Sequence, residues 1–251
     1  MAQGFWLSDA QWERLSPLLP NKPRGAARVD DRRVISGIVV ALQSGGRWID
    51  VPAEYGPRKT LYNRFVRWSA KGIWRQLFET LAAAGGPPAE VLLDSTHVKA
   101  HRCAAGGKGA FSAHALGISR DGRTTKIHAL SDGQGWPLAF LLTGGQAADC
   151  RAAESLLRGL APSTLVMADR AYDTNAVRQQ IENQGAVPNI PSKRTRRWKS
   201  CFSPVLYRGR NAIERMYCRL KDYRRIATRY DKLAANFISA IYLAATVSFW
   251  L

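Results

Sequence analysis

Two aspartates in the sequence stand at matching places. Asp94 closes the apolar run Val91-Leu92-Leu93, and Asp169 closes Leu165-Val166-Met167-Ala168. Each run reads as a short buried strand. A lone carboxylate there is costly to bury unless it pairs or binds metal, and two of them on neighbouring strands converge at one place. The alternative for each is a turn residue that caps the next element. A third acid has a more informative setting. Tyr207, Arg210, Glu214 and Lys221 are separated by 3, 4 and 7 residues, intervals that keep all four on one helical stripe. The acid is flanked by two cations, with a tyrosine one turn further. A phosphoryl-transfer site can use such an array, the acid completing a metal site and the cations holding phosphates on either side of it. A surface ladder of ion pairs is the alternative that spacing alone leaves open.

Other reactive side chains read as supports. Asp149 and Asp173 are placed to cap the helices that follow them. His97 and His101 lie near Cys103, but no fourth zinc ligand follows at a recognisable spacing, so these two, His114 and His128 read as structural or supporting groups. Cys103, Cys150, Cys201 and Cys218 contain no C-x-x-C pair, which excludes a zinc ribbon and a thioredoxin-like motif and fits a reducing cytosol.

The balance of charge is the strongest compositional signal. Lys and Arg number 37 against 19 Asp and Glu, a formal net charge of +18 in 251 residues. So basic a surface attracts polyanions, of which nucleic acid is the commonest; a basic housekeeping protein and an acidic membrane surface are the other readings. Hydrophobic residues at 46% and charged residues at 22% exclude wholesale disorder, and the length suits one core with a smaller appended domain. Met1 to Pro20 shows no basic start followed by an apolar run, so no secretory leader is expected. Leu233 to Leu251 lacks charge, yet Asn236, Ser239, Tyr242, Thr246 and Ser248 are spread along it, which favours a helix packed on a core over a membrane span.

The elements that must position the reactive residues follow from periodicity. Ser8 and Gln11 form a capping box before a helix carrying Trp12, Leu15 and Leu19 on one face. Pro20, Pro23 and Gly25 break the chain. A second helix starts near Asp30 and stops at Gly45-Gly46. After the short segment Trp48 to Tyr55, a helix runs from Pro57 to Gly72. Its stripe Leu61, Phe65 and Trp68 faces inward, while Lys59, Asn63 and Arg67 line another face beside Arg58, Tyr62 and Arg64. A helix, a turn and a basic helix are the parts of a helix-turn-helix DNA reader; a solvated basic helix in a small bundle is the alternative. Ala82 to Ala89, rich in Gly, Pro and Ala, marks a domain boundary. Beyond it, strands are expected over Thr124 to Leu130, Trp136 to Thr143, Leu165 to Ala168 and Val187 to Ile190. Helices are expected over Asp149 to Leu160 and from Thr174, a loop over Ser192 to Pro204, and long helices thereafter. The order describes a mixed α/β domain.

Several blocks carry a resemblance. Tyr207, Arg210, Glu214 and Lys221, with LLDSTHVKAH at Leu92 to His101, TTKIHAL at Thr124 to Leu130 and ADRAYD at Ala168 to Asp173, resemble the insertion-sequence-five family of bacterial transposases. RNAIERMYCRLKDYRRIATRYDK at Arg210 to Lys232, LSDAQWERLSPLLP near the start, SGGRWIDVP and TLYNRF are similar to the same family, so the likeness covers nearly the whole chain. One short motif is weak evidence, whereas several in the correct order are specific. The resemblance implies an α/β, ribonuclease-H-like catalytic domain over residues 86–251, preceded by a small all-α domain of helix-turn-helix type over residues 1–85. It implies that Asp94, Asp169 and Glu214 are the catalytic acids and the ligands of Mg²⁺, with Mn²⁺ as a substitute and two ions per site. The separation of 45 positions from Asp169 to Glu214 leaves no room for a large inserted β-domain.

The expected partner is double-stranded DNA, as element ends and as target, held by a homodimer. No membrane and no small-molecule substrate are expected, and the expected location is the bacterial cytoplasm at the nucleoid. DNA contacts are expected from Arg58, Lys59, Tyr62, Asn63 and Arg67 on the basic helix and from Tyr207, Arg210 and Lys221 near the acids. A further set is Lys193, Arg194, Arg196, Arg197 and Trp198, a loop that also contains Lys199, with the indole free to stack on an unpaired base. The rival functions are a structure-specific endonuclease on the same fold and a DNA-binding regulator without catalysis.

Overall fold

The computed structural model describes residues 4–20, 29–106, 114–120 and 122–251. The chain breakers expected at Pro23 and Gly25 lie outside the described residues. The apolar run before Asp94 opens the central strand, β1 (Glu90–Ala100), of a mixed sheet with 7 strands among the described residues. β2 (Gly117–Ser119), β3 (Gly122–Asp132) and β4 (Pro137–Gly144) follow. β3 lies antiparallel to β1, and β4 antiparallel to β3. On the other side β5 (Leu165–Ala168) is parallel to β1, and β6 (Val187–Asn189) is parallel to β5. The main path is therefore β4-β3-β1-β5-β6. The short β2 shares the outer edge of β3, and β7 (Thr228–Arg229) adds to the far end of β1. Parallel neighbours need crossovers, and α5 (Cys150–Leu156) and α6 (Asn175–Glu182) supply them.

Alternation along the strands sorts side chains onto two faces. Leu92, Ile127, Ala129, Phe140 and Met167 join one apolar cluster, whereas Val91, Leu93, Leu130, Val166 and Ala168 join a second, which α5 and α6 cover through Ala153, Leu156, Val177 and Ile181. α8 (Asn211–Lys221), α10 (Ala234–Ala245) and the N-terminal helices cover the first face. Those N-terminal helices are α1 (Asp9–Leu15), α2 (Asp31–Ser44), α3 (Arg58–Ala70) and α4 (Ile73–Ala83). Leu7, Val34, Ile38, Phe65, Trp74 and Phe78 belong to the same cluster as Leu92, Ile213 and Ile241, so residues 1–85 and the sheet share a core.

Local chemistry accounts for several boundaries. Ser8 and Gln11 form the expected capping box. Asp30 caps α2, which ends at Gly45 with φ 71°. A Cβ on Gly45 would lie 2.6 Å from the Arg224 Cβ, so the glycine also lets α2 approach α9 (Arg224–Ala227). The Trp48 to Tyr55 segment forms two short 3-10 turns.

Some expectations are corrected. α4 occupies a stretch that carried no helix assignment and runs into the expected boundary at residues 82–89, because Trp74, Leu77, Phe78 and Leu81 recur at helical spacing. α5 stops at Leu156, short of the expected Leu160, where Gly159 turns the chain with φ 72°. The long helices expected after residue 204 are broken into α7 (Pro204–Tyr207), a 3-10 turn over residues 208–210, α8, α9 and α10. The apolar C-terminal segment is packed: Phe237, Ile241 and Phe249 are buried, and the Trp250 indole donates to the Pro137 carbonyl at 3.0 Å. Among the described residues no helix is long and apolar enough to cross a membrane.

The β3–β4 turn packs against the start of α8. Asp132 Oδ1 accepts from the N–H groups of Gln134 and Trp136 at 2.9 and 2.8 Å, and Gly135 has φ 87°. A Cβ on Gly135 would fall 2.5 Å from the Ala212 carbonyl oxygen. Gly135→Ala is therefore expected to lower stability by about 2 kcal/mol through positive φ and steric overlap. Urea unfolding checks this; an unchanged midpoint would contradict the close approach.

Candidate active site

Strand register brings the first two acids together. β1 and β5 pair Leu92 with Met167 and Leu93 with Ala168, so the next step sets Asp94 beside Asp169. Two-residue alternation from Leu92 and Met167, which share a cluster, directs both carboxylates to the face that α8 covers. Asp169 also accepts from the Ala171 N–H at 2.9 Å, which fixes the turn that follows β5.

α8 is pinned to this face by buried polar contacts. The Tyr217 hydroxyl lies 2.8 Å from the Asp94 carbonyl oxygen and 3.2 Å from that of Ile127. One turn later, Lys221 donates to Thr96 Oγ1 at 2.6 Å. One turn earlier stands Glu214, in the first turn of the helix. Arg210 joins the acids: its Nη1 lies 3.2 Å from Asp94 Oδ2, and its Nη2 pairs with Glu214 Oε1. Its guanidinium sits 5.5 Å from the ring centre of Tyr207, which meets Phe202 edge-on at 5.2 Å. The stripe expected on one α-helix is thus distributed over α7, a 3-10 turn and α8, yet it delivers Arg210, Glu214 and Lys221 to the same side of the sheet.

The electrostatics match this geometry. Burial is the largest influence on Asp94 and raises its carboxyl above the ordinary value; Asp169 adds to the rise, while the Ser95 N–H and Arg210 oppose it. Burial works against the Arg210 charge, but Asp94, Tyr207, Glu214 and Asp169 outweigh it and raise its pKa. The pocket therefore demands positive charge, and Arg210 meets part of that demand. Among the described residues no three His, Cys, Asp or Glu side chains are grouped closely enough to hold a metal ion; Arg210 lies between Asp94 and Glu214. By donor type and charge the three acids fit a hard divalent cation.

Asp173 is not the cap of α6, a role Thr174 takes by accepting from the Val177 N–H at 3.2 Å. Instead Asp173 is buried between Arg178 at 2.8 Å and Arg196 at 3.0 Å, and it accepts the Lys193 N–H at 2.6 Å. Burial opposes its charge, but these partners win and hold its carboxyl at about 2. The loop over residues 192–203 is tied down here and at Asn189, whose side chain exchanges two hydrogen bonds with the Ser203 backbone. Lys199 donates to the carbonyls of Lys193 and Arg194. Arg196 and Lys199 thus hold the loop, whereas Arg194, Arg197 and Trp198, at 78% exposure, face solvent. On α3, Arg58, Lys59, Tyr62, Asn63 and Arg67 are exposed; Arg64 is buried on the opposite side and paired with Asp31.

Asp149 is likewise not a cap, since its side chain makes no capping bond to α5. It accepts from Ser95 at 2.6 Å and from Lys126 at 2.9 Å. Around it lie His128 and Tyr172, both buried. Sequence reasoning passed over this group; its signal is a lysine and a histidine at alternate positions inside the strand-core run Thr124 to Leu130.

Comparison with known proteins follows the same lines. A family model described as "Transposase DDE domain" matches residues 85–249, and one described as "Putative transposase of IS4/5 family" matches residues 7–78. The chain belongs to the insertion-sequence DDE transposases. It is 40% identical over 129 residues, 51% of its length, to "Putative transposase for insertion sequence element IS6501" of Brucella ovis, covering 98% of that protein. With "Putative transposase for insertion sequence element IS402" of Burkholderia cepacia it shares 28% identity over 121 residues, 44% of this chain and 55% of that one. The piggyBac transposase in a synaptic complex with hairpin DNA aligns with 96% of this transposase and 72% of its own chain, at a TM-score of 0.52 and 10% identity, a likeness of fold.

One titration follows from the buried group. Burial pushes the His128 imidazole down to about 4, with Lys126 and His97 adding and Asp149 opposing. The unfolded chain then takes up this proton first as pH falls. The His128 contribution is fully present above about pH 6.5 and lost as pH falls toward 4, up to roughly 3 kcal/mol. His128→Phe is expected to flatten that part of the stability curve in urea unfolding. An unchanged slope would contradict a buried neutral imidazole.

Proposed function

We propose that this transposase binds the terminal inverted repeats of a bacterial insertion sequence and cuts and rejoins DNA at a site built from Asp94, Asp169 and Glu214. The observation that carries the reading is the Arg210 bridge, which joins an acid of β1 to an acid of α8 beside the end of β5. The strand order β4-β3-β1-β5-β6 supports a ribonuclease-H-like catalytic domain over residues 86–251. The exposed basic face of α3 supports a DNA-binding, helix-turn-helix-type role for residues 1–85.

Asp94, Asp169 and Glu214 would hold Mg²⁺, or Mn²⁺ in its place, two ions per site. When bound, the metal activates the attacking oxygen and stabilises the leaving one. The chain's own groups do the rest. Arg210 exchanges its carboxylate partners for a phosphate oxygen as DNA enters, and Lys221 holds the backbone on the other side of Glu214. Tyr207 supports the guanidinium from below. Arg194, Arg197 and Trp198 face the same strand, with Lys193 and Arg196 shaping their loop, and Arg58, Lys59, Tyr62, Asn63 and Arg67 contact the duplex ends.

The reaction is two in-line displacements. A water oxygen bonds to phosphorus as the P–O3′ bond breaks, which frees a 3′-hydroxyl at the element end. That hydroxyl then attacks a phosphorus of target DNA and displaces the 3′-oxygen there. Both ends must be held together, so a homodimer assembles on DNA.

Cleavage and joining of DNA carrying the element's own ends, with Mg²⁺, tests this reading. Asp94→Asn and Glu214→Gln are expected to bind ends normally and cleave about 10³-fold more slowly. Lys59→Ala combined with Arg67→Ala is expected to lose end binding. Full cleavage by Asp94→Asn, or sequence-specific binding without cleavage by the wild type, would sink the proposal.

A further inference from the structure

Behind the carboxylates, on the opposite face of the sheet, lies a polar cluster that the reaction above does not use. Ser95 follows Asp94 in β1 and points to the other side, continuing the face of Val91 and Leu93. Its hydroxyl donates to Asp149 Oδ1 at 2.6 Å. Lys126, itself buried, donates to the same oxygen at 2.9 Å and to the Ala147 carbonyl at 2.7 Å. His128 stands opposite Ser95 in the β1–β3 register and bonds Thr143 Oγ1 at 2.8 Å. Tyr172, which closes the turn begun by Asp169, is buried, with its hydroxyl beside Ser95. Burial raises its pKa, and the charges of Asp149, Asp94 and Asp169 add to the rise, as expected for a phenol lying near all three acids.

A buried ion pair is a weak source of stability, since apolar residues of similar volume often serve as well or better. A reacting constellation is different, because it must be held within about 0.5 Å of its productive geometry. We propose that Asp149, held by Lys126, is a positioning residue for the carboxylate site, acting through Ser95 on the step of β1 that carries Asp94. This rests on the reading of Asp94 as catalytic. Asp149 touches no reacting atom. It grips Ser95 from one face while Tyr217 grips the Asp94 carbonyl from the other, so β1 is clamped through its thickness at this step. Lys126 balances the Asp149 charge, which keeps another net negative charge from adding to Asp94 and Asp169.

The test combines Lys126→Met with Asp149→Leu, which removes both charges together, and compares it with Ser95→Ala, Ser95→Thr and Asp94→Asn. The double variant is expected to melt at or above the wild-type Tm and to bind element-end DNA with unchanged Kd. Its single-turnover cleavage at saturating DNA is expected to fall about tenfold or more. Ser95→Ala, a small change that keeps the ion pair, is expected to be slow in the same way, and Ser95→Thr, which keeps the hydroxyl, to recover the rate. Wild-type cleavage by a folded double variant, or by Ser95→Ala, while Asp94→Asn is inactive, overturns this inference alone. Activity in Asp94→Asn overturns the catalytic reading beneath it.

Discussion

Three acids cannot share a half-buried pocket without a cation. Asp94 and Asp169 leave adjacent parallel strands side by side, and Glu214 approaches from the helix above them. Burial and mutual repulsion drive up the cost of ionising Asp94. Arg210 offsets that cost by pairing with Asp94 and Glu214 at once. Everything nearby serves to keep this grouping in place. Tyr217 and Lys221 fix the rotation of α8, Gly135 allows a turn to pack under its first residues, and Tyr207 supports the arginine.

The sheet supplies the rigidity. β1 is paired on both sides, so its backbone at Asp94 is determined by β3 and β5 together. The N-terminal helices do not hang from this scaffold as a separate body. Their apolar faces enter the cluster that lies under α8 and α10, while the cationic stripe of α3 stays exposed. The loop after β6 is fastened at both ends by buried polar groups, Asp173 and Asn189, which leaves Trp198 displayed on a restrained segment.

The placement of Asp94, Asp169 and Glu214 at two neighbouring strands and on a helix was legible in the sequence because each follows a strand-length apolar run or sits at helical spacing among cations. The same patterns located β3, β4, β5 and β6 to within a few residues. What stayed illegible depended on long-range pairing. Asp149 and Asp173 precede helices, which is where caps stand, and only tertiary structure brings Lys126 and Ser95 to the first and Arg178 and Arg196 to the second. Arg64 and Arg67 are three residues apart on one basic helix, yet one is buried against Asp31 and the other is exposed. Lys193, Arg194, Arg196, Arg197 and Lys199 form a single basic run in the sequence, and folding divides them into anchors and outward-facing cations. The break between α7 and α8 was hidden because a 3-10 turn preserves much of the helical spacing.

In the proposed mechanism Arg210 compensates the charge of Asp94 and Glu214 until DNA draws it away. Equilibrium binding of Mn²⁺, followed by the paramagnetic signal of the free ion, tests it for the wild type and Arg210→Gln without DNA and with an element end. Weak binding by the wild type alone and tighter binding once DNA is present are expected. Arg210→Gln is expected to bind Mn²⁺ about tenfold more tightly than the wild type when DNA is absent, a coupling of ordinary size. Equal or weaker affinity in Arg210→Gln would mean that the arginine does not compete for the site, contrary to the proposed mechanism.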